Sequence, residues 1–233
     1  MCTLEKSGNV FVLTITGAGE HRLNPSLIGA LRSSLRTVRE EQNCAALVTT
    51  ADGKFFSNGY DLFWGQNRLD RLQLMSTELR ALIRDLISLP VPTIAAVTGH
   101  ASAAGLILAL SHDYVLMRKD RGFLYMSEVD IGLVVPAWIV ALIGSPAARR
   151  EMVMKGRKLT AAEAKAMGII DSAHDGAEET IGAAMKLADE LAGRKWDGHA
   201  YAGNRMVVLR EVLDSLSFDE TVEATARKAT SKL

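Results

Sequence analysis

Hydrophobic and polar positions change period several times along the chain, and each change marks an element. From Asn9 to Thr16 apolar and polar side chains alternate as in a half-buried strand, until Gly17-Ala18-Gly19 breaks the run. The period then lengthens. Leu27, Leu31, Leu35 and Val38 share a helical face behind Asn24, a capping residue, and Pro25, which suits a first helical position. Ala45 to Thr50 is a short apolar run typical of a strand covered on both faces. After the loop Asp52 to Asp61, the residues Leu69, Leu72, Met75, Leu79, Leu82, Ile83 and Leu86 predict a long amphipathic helix that Pro90 and Pro92 end. Thr93 to Val97 predicts another strand, which turns through Thr98-Gly99-His100 into a small-residue helix from Ser102 to Ser111. Asp113 to Met117 returns as strand. Crossovers of this length permit parallel pairing, so the first half reads as an α/β core. Beyond Pro146 the pattern is nearly all helical: Thr160 caps Ala161 to Met167, and further helices are expected at Ala177 to Gly193, Tyr201 to Leu216 and Phe218 to Ser231. Ala-rich helices of this kind need a surface to pack on, either the core or a neighbouring subunit.

Composition narrows the possible partners. The 233 residues carry 27 basic and 27 acidic side chains, so no excess positive field exists to hold a nucleic acid. Two stretches without Asp, Glu, Lys or Arg, Leu86 to His112 and Ile131 to Ala148, are interrupted by Pro and Gly and predict buried core rather than a membrane span. Cys2 and Cys44 form no CxxC pair and no His cluster has ligand spacing, which fits a reducing compartment and predicts no metal site. The N-terminus lacks the layout of a signal peptide. At the other end, Ser231-Lys232-Leu233 reads as a peroxisomal address recognised by the import receptor.

Several familiar motifs fail on spacing. Arg22 stands where a dinucleotide fingerprint beginning at Gly17 needs its third Gly, and Ser102 comes one residue too late for a nucleophile elbow. No phosphate loop and no H-e-x-x-H zinc motif occurs. His112-Asp113 reads as a local polar contact at a helix-to-strand junction. Two turns remain, Phe56-Ser57-Asn58-Gly59-Tyr60-Asp61-Leu62 and Ala96 to Gly105, each closing a strand of parallel type with small residues. Two backbone N–H groups converging from such turns would form an oxyanion hole, the second at a helix start. On the residues alone, two ordinary tight turns are the simpler reading. Glu128 lies in a strongly apolar setting with Tyr125, Met126, Val129 and Trp138, which would raise its pKa and suit a general base. Asp130 competes for that role, since period-2 spacing puts both acids on one face of a strand.

Taken together, Phe56 to Leu62, Ala96 to Gly105, Glu128 to Pro136, and Leu159-Thr160-Ala161-Ala162-Glu163-Ala164 through Gly168-Ile169-Ile170-Asp171 resemble the crotonase superfamily, the enoyl-CoA hydratase/isomerase group. The resemblance is sharpest from about residue 45 to 171. It implies an α/β fold built as a spiral of β-β-α units over residues 1–172, and a helical trimerisation region over 173–233. It further implies an acyl-CoA thioester substrate, a homotrimer or hexamer, and no cofactor beyond the coenzyme A of the substrate. Carried over to this chain, the oxyanion donors are the N–H groups of Tyr60 and Ala104. Arg22 and Leu23, with the loop Phe56, Ser57, Asn58, Gly59, Tyr60, Asp61 and Leu62, contact the substrate. The family usually has Gly-Gly where this chain has Ala103-Ala104; a helix-start residue with negative φ tolerates Cβ, so the donor survives in a narrower pocket. Hydratases of the family use two glutamates. Ile107 occupies the first of these positions and only Glu128 matches the second, while Gly132 to Trp138 is similar to the segment that follows the single base of Δ3,Δ2-enoyl-CoA isomerases. The expected activity is therefore movement of a double bond from 3-enoyl-CoA to trans-2-enoyl-CoA in peroxisomal β-oxidation. A hydratase with a substitute for the missing glutamate, and a weakly catalytic acyl-CoA-binding scaffold, are the alternatives.

Overall fold

The computed structural model describes residues 1–17 and 19–217. The helix expected at Phe218 to Ser231 and the terminal Ser231-Lys232-Leu233 lie outside them. The alternating run near the N-terminus is β2 (Val10–Ile15), and it pairs antiparallel with a strand the pattern does not reveal, β1 (Cys2–Ser7). β1 lies at the sheet edge and half-buries only Cys2 and Leu4, so its alternation is too short to register. Asn24 caps α1 (Pro25–Glu40), accepting the Leu27 N–H at 3.0 Å.

The chain then winds into a spiral. β3 (Ala46–Ala51) leads to β4 (Phe55–Ser57) and the helices α2 (Leu62–Gly65) and α3 (Leu69–Ile87). β5 (Thr93–Val97) leads to β6 (His100–Ser102) and α4 (Ala104–Leu110). β7 (Tyr114–Arg118) leads to β8 (Leu124–Tyr125), α5 (Ala137–Leu142), α6 (Pro146–Arg149), which runs on into a π-helical turn, and α7 (Ala161–Ala166). β9 (Ser172–His174), α8 (Ala177–Ala192), α9 (Gly198–Val208) and α10 (Arg210–Ser215) complete the described chain. The first strand of each winding joins a six-stranded sheet of order β1-β2-β3-β5-β7-β9, parallel from β2 onward, and the second joins a small parallel sheet, β4-β6-β8.

Alternation along the central strands serves two cores. Leu47, Ala95 and Val97 pack with the apolar faces of α1 and α3, whereas Val10, Ala46, Val48, Ile94 and Ala96 face the opposite way. That second face is covered by α8 through Ala184 and Ala188, whose small side chains allow the helix to lie close. The Ala-rich helix therefore finds its partner in this chain's own sheet, and the boundary expected at 172/173 falls inside β9.

The single helix expected from Tyr201 to Leu216 is broken at Leu209, which ends α9 and starts α10. The two halves have different anchors. Arg205 of α9, 6% exposed, donates to the carbonyls of Leu89 at 2.8 Å and Val91 at 2.7 Å and to Asp113 Oδ1 at 2.6 Å, while α10 packs on α5. No helix of the described residues is long and apolar enough to cross a membrane.

Candidate active site

The carboxyl ends of β4, β6 and β8 deliver three segments to one place: Asn58 to Asp61, Ala103-Ala104, and Met126 to Glu128. The first two are in direct contact. Gly59 has φ +73°, and a Cβ there would stand 2.9 Å from the Ala103 Cβ and 3.4 Å from the Ala104 nitrogen, so only glycine lets the two turns close on each other. Gly105 performs a similar service one residue on, since a Cβ would meet the Ser57 carbonyl oxygen at 2.3 Å. The peptide groups around Tyr60 are held by Leu23, whose N–H donates to Gly59 O at 2.7 Å and whose carbonyl accepts the Asp61 N–H at 3.0 Å. Asp61 caps α2 through the Trp64 N–H at 3.0 Å and also accepts Asn24 Nδ2 at 3.1 Å, which ties the loop to the start of α1. Ala104 is the first residue of α4, so its N–H precedes the first intrahelical bond, Ile107 N–H to Ala103 O at 3.1 Å.

The Ala103-Ala104 pair carries a cost that the sequence hides. Ala104 has helical geometry, as expected, but Ala103 sits at φ +49°, ψ −125°, a region populated almost only by glycine. Such a residue stores on the order of 1–3 kcal/mol, and surrounding contacts must impose it. One of those contacts is the Ala103 N–H donating to Tyr125 O at 3.0 Å. The Tyr125 hydroxyl reaches the other turn, donating to Asn58 Oδ1 at 3.2 Å, and Asn58 Nδ2 in turn donates to Glu20 Oε2 at 2.9 Å. Glu20 pairs with Arg22 at 2.5 Å; the Asn58 donor first, and then Arg22, hold its carboxyl below the usual range. Tyr125 thus touches both turns while leading the chain into the acidic segment.

That segment is a sequence of tight turns, not a strand. The Leu133 N–H donates to Glu128 O at 2.8 Å and the Asp130 N–H to Ser127 O at 3.1 Å. The two acids consequently part. Asp130 is exposed and its carboxylate lies against Gly156. Glu128 turns inward: its Oε2 is buried with no hydrogen-bond partner among the described residues, and burial pushes the carboxyl above its usual range. A carboxylate oxygen shielded from water and left without a donor is a strong proton acceptor.

The remaining expected site residues take distinct places. Leu23 and Phe56 are fully buried and serve through backbone and packing; Ser57, equally buried, donates its hydroxyl to His21 O at 2.7 Å. Leu62 is 49% exposed beside Phe63 at 89%, an apolar edge facing outward. Arg22, Glu20, Asn24 and Asp61 border an open cavity of about 520 Å³ next to the Tyr60 turn. Ile107 is fully buried in the core. His112 and Asp113 form no dyad. The His112 Nδ1–H donates to Leu108 O at 2.9 Å and Nε2 accepts the Thr49 hydroxyl at 2.8 Å, and burial pushes the imidazole down to about 4. Among the described residues, no group of three His, Cys, Asp or Glu side chains is placed to hold a metal ion. Tyr125 and Glu20 were not legible as site residues, because their roles depend on pairing between strands two or three residues long.

Comparison with known proteins places this arrangement in context. The enoyl-CoA hydratase/isomerase family model matches residues 5–208. "Enoyl-CoA delta isomerase 1, peroxisomal" of Arabidopsis thaliana is 53% identical over all of both chains. "Enoyl-CoA delta isomerase 2, peroxisomal", from the same plant, is 48% identical over 97% of this chain and all of its own. Among solved structures, an enoyl-CoA hydratase/isomerase family protein from Pseudomonas syringae superposes with a TM-score of 0.84 at 26% identity, covering 95% of each chain. A probable enoyl-CoA hydratase from Mycobacterium tuberculosis H37Rv shares the fold, with a TM-score of 0.86 over 98% of this chain and 96% of its own at 22% identity. On the extent of these matches, the chain belongs to the enoyl-CoA hydratase/isomerase family.

Proposed function

We propose that the protein is an enoyl-CoA delta isomerase of fatty acid oxidation that works with one carboxylate. Glu128 takes a proton from C2 of a 3-enoyl-CoA, the double bond moves from C3–C4 to C2–C3, and the same carboxyl returns the proton to C4. The N–H groups of Tyr60 and Ala104 hold the thioester oxygen while it carries the enolate charge. The observation that carries this reading is the buried, unpartnered Oε2 of Glu128 in a chain whose other expected acid position is the fully buried Ile107. Water addition asks for a second acid, and a core isoleucine disfavours it. No electrons leave the substrate, so the shuttle asks for neither a redox cofactor nor a metal.

The cavity beside Arg22, Asn24 and Asp61 supports contact with the coenzyme A portion of the thioester. Peroxisomal location follows from the relatives that carry it in their names, with Ser231-Lys232-Leu233 as the proposed signal for the import receptor. Residues 173–233 are proposed as the trimerisation region of a homotrimer. Exposed Trp196, Val207 and Val208, within that region, support burial of apolar surface against a second copy.

Incubation with cis- and trans-3-hexenoyl-CoA tests the reaction by the absorbance of the conjugated 2-enoyl thioester. Native protein is expected to convert both or one of them, and Glu128→Gln to lose about 10²–10⁴-fold in kcat. The native rate is expected to rise with pH through the raised pKa of Glu128, because the ionised carboxylate is the base. Retained activity in Glu128→Gln, with loss in Asp130→Asn, would overturn the assignment.

A further inference from the structure

The amino ends of β4, β6 and β8, across the small sheet from the Tyr60 and Ala104 turns, hold a second concentration of polar groups that the proposed reaction does not use. Phe55 opens β4, His100 opens β6 and Phe123 precedes β8, so parallel pairing brings three rings together. The His100 ring centroid is 5.0 Å from that of Phe55 and 5.6 Å from that of Phe123, with the latter pair inclined by 25°. Beside them lies a groove of about 400 Å³ bordered by Lys54, Lys119, Asp120, Arg121 and Thr160.

The charges around this groove do not cancel. Asp120 is neutralised by Arg118, and Lys119 pairs with Asp175 at 2.6 Å in an exposed contact of small energy. Among the described residues, Lys54, Arg121 and Lys158 have no carboxylate partner. Lys54 instead lies over the Phe55 ring at 5.6 Å and Lys158 over Tyr125 at 5.1 Å. In a chain of zero net charge, cations from three separate segments act on one imidazole whose ring nitrogens make no hydrogen bond among the described residues. Burial first, then Lys54, Lys158 and Arg121, hold His100 below its usual range, so at neutral pH the ring is uncharged and carries one N–H donor. A solvated basic face does not need stacked rings or a cavity; an anion site uses both.

We propose that this groove binds a phosphate monoester, with its oxygens held by Lys54, Lys119, Arg121 and the His100 N–H, and with Phe123 as a flat wall for the group the phosphate carries. A dianion with three oxygens satisfies several cations at once, which a single carboxylate does not. The volume exceeds that of bare phosphate and admits a nucleotide-sized ester. The same headgroup chemistry occurs on phosphatidic acid at a membrane surface. The site lies apart from Glu128, so it stands or falls independently of the isomerase reading.

The test follows the His100 imidazole resonances of the whole protein by NMR during additions of inorganic phosphate and of adenosine monophosphate. It adds co-sedimentation with phosphatidylcholine vesicles with and without phosphatidic acid. Binding is expected to move the His100 signals to saturation and raise their pH midpoint, leaving the exposed His199 unchanged. Lys54→Ala and Arg121→Ala are each expected to weaken this about tenfold, with 3-hexenoyl-CoA turnover and melting temperature unaltered; Arg121→Gln serves if an alanine variant is unstable. A response to the nucleotide without vesicle binding supports a soluble ester, and phosphatidic-acid-dependent sedimentation supports the lipid source. A shift that does not saturate, or that persists in the doubly substituted protein, means an adventitious ion only and overturns the proposal. Loss of His100 signals with protein concentration, before any phosphate is added, assigns the groove to contact between copies and also overturns it.

Discussion

At the scale of single residues, Glu128 sets function against stability. Its carboxyl pKa is raised in the folded chain relative to the unfolded one, so the folded state binds the proton more tightly. By linkage, stability is highest where both states are protonated and falls as pH rises from the unfolded value through the raised folded value. Above that window the chain holds a largely desolvated charge whose Oε2 has no hydrogen-bond partner among the described residues. Glu128→Gln removes the charge and keeps the shape, and is expected to raise the melting temperature at pH 7 while cutting turnover by about 10²–10⁴-fold. The gain should vanish near pH 4, where both versions are neutral; scanning calorimetry at the two pH values checks it. Glu128 was legible in the sequence because an acid among apolar neighbours stands out. Its separation from Asp130 was not, since only the turn bonds of residues 127–133 show that the two acids leave the chain in different directions. The strain at Ala103 was hidden for a similar reason: the sequence shows an alanine at a helix start, and the positive φ belongs to the residue that caps the helix.

Among elements, β8 links the candidate oxyanion turns to the proposed base. Tyr125 accepts from Ala103 through its carbonyl and donates to Asn58 through its hydroxyl, so it positions both turns without touching the reacting atoms. Tyr125→Phe leaves the strand pairing intact and removes one hydrogen bond worth about 1 kcal/mol. The expected result is a fall in kcat of about fivefold, an unchanged pH midpoint and little change in KM; an equal rise in KM would mean that the hydroxyl serves substrate binding instead. The longer elements were readable: α1 and α3 announce themselves by apolar spacing, and the Asn24 and Thr160 caps form as their residue types predict. Strands β4, β6 and β8 were not, because two or three residues contain no period to detect. The site is built on those unreadable strands, so its members could be recognised only through family resemblance.

For the whole molecule, the helical tail is fastened to the spiral by a charge in a dry place. Arg205, far along the sequence from its partners, satisfies Asp113 and the carbonyls of Leu89 and Val91. Removing one member of a buried pair costs about 3–5 kcal/mol because the other is left uncompensated. Arg205→Ala is therefore expected to lower the urea midpoint by a corresponding amount, and Arg205→Lys to recover only part of it, since an ammonium lacks the planar fork. Composition and period gave the parallel α/β core and the helical tail, but not the contact between them, which pairs residues 92 positions apart.

The winding of the chain has a consequence for how activity arises. Tyr60, Ala104 and Glu128 belong to three successive turns of the spiral, joined by parallel pairings that bring distant residues together. Such contacts form slowly, because loop entropy is lost before pairing compensates for it. On the roles proposed above, during synthesis the first winding emerges with one donor and nothing opposite it, and the second supplies its companion without a base. Nascent or truncated chains ending before β8 are thus expected to be catalytically silent, and in a refolding experiment turnover should return with the slowest structural phase, as a single event.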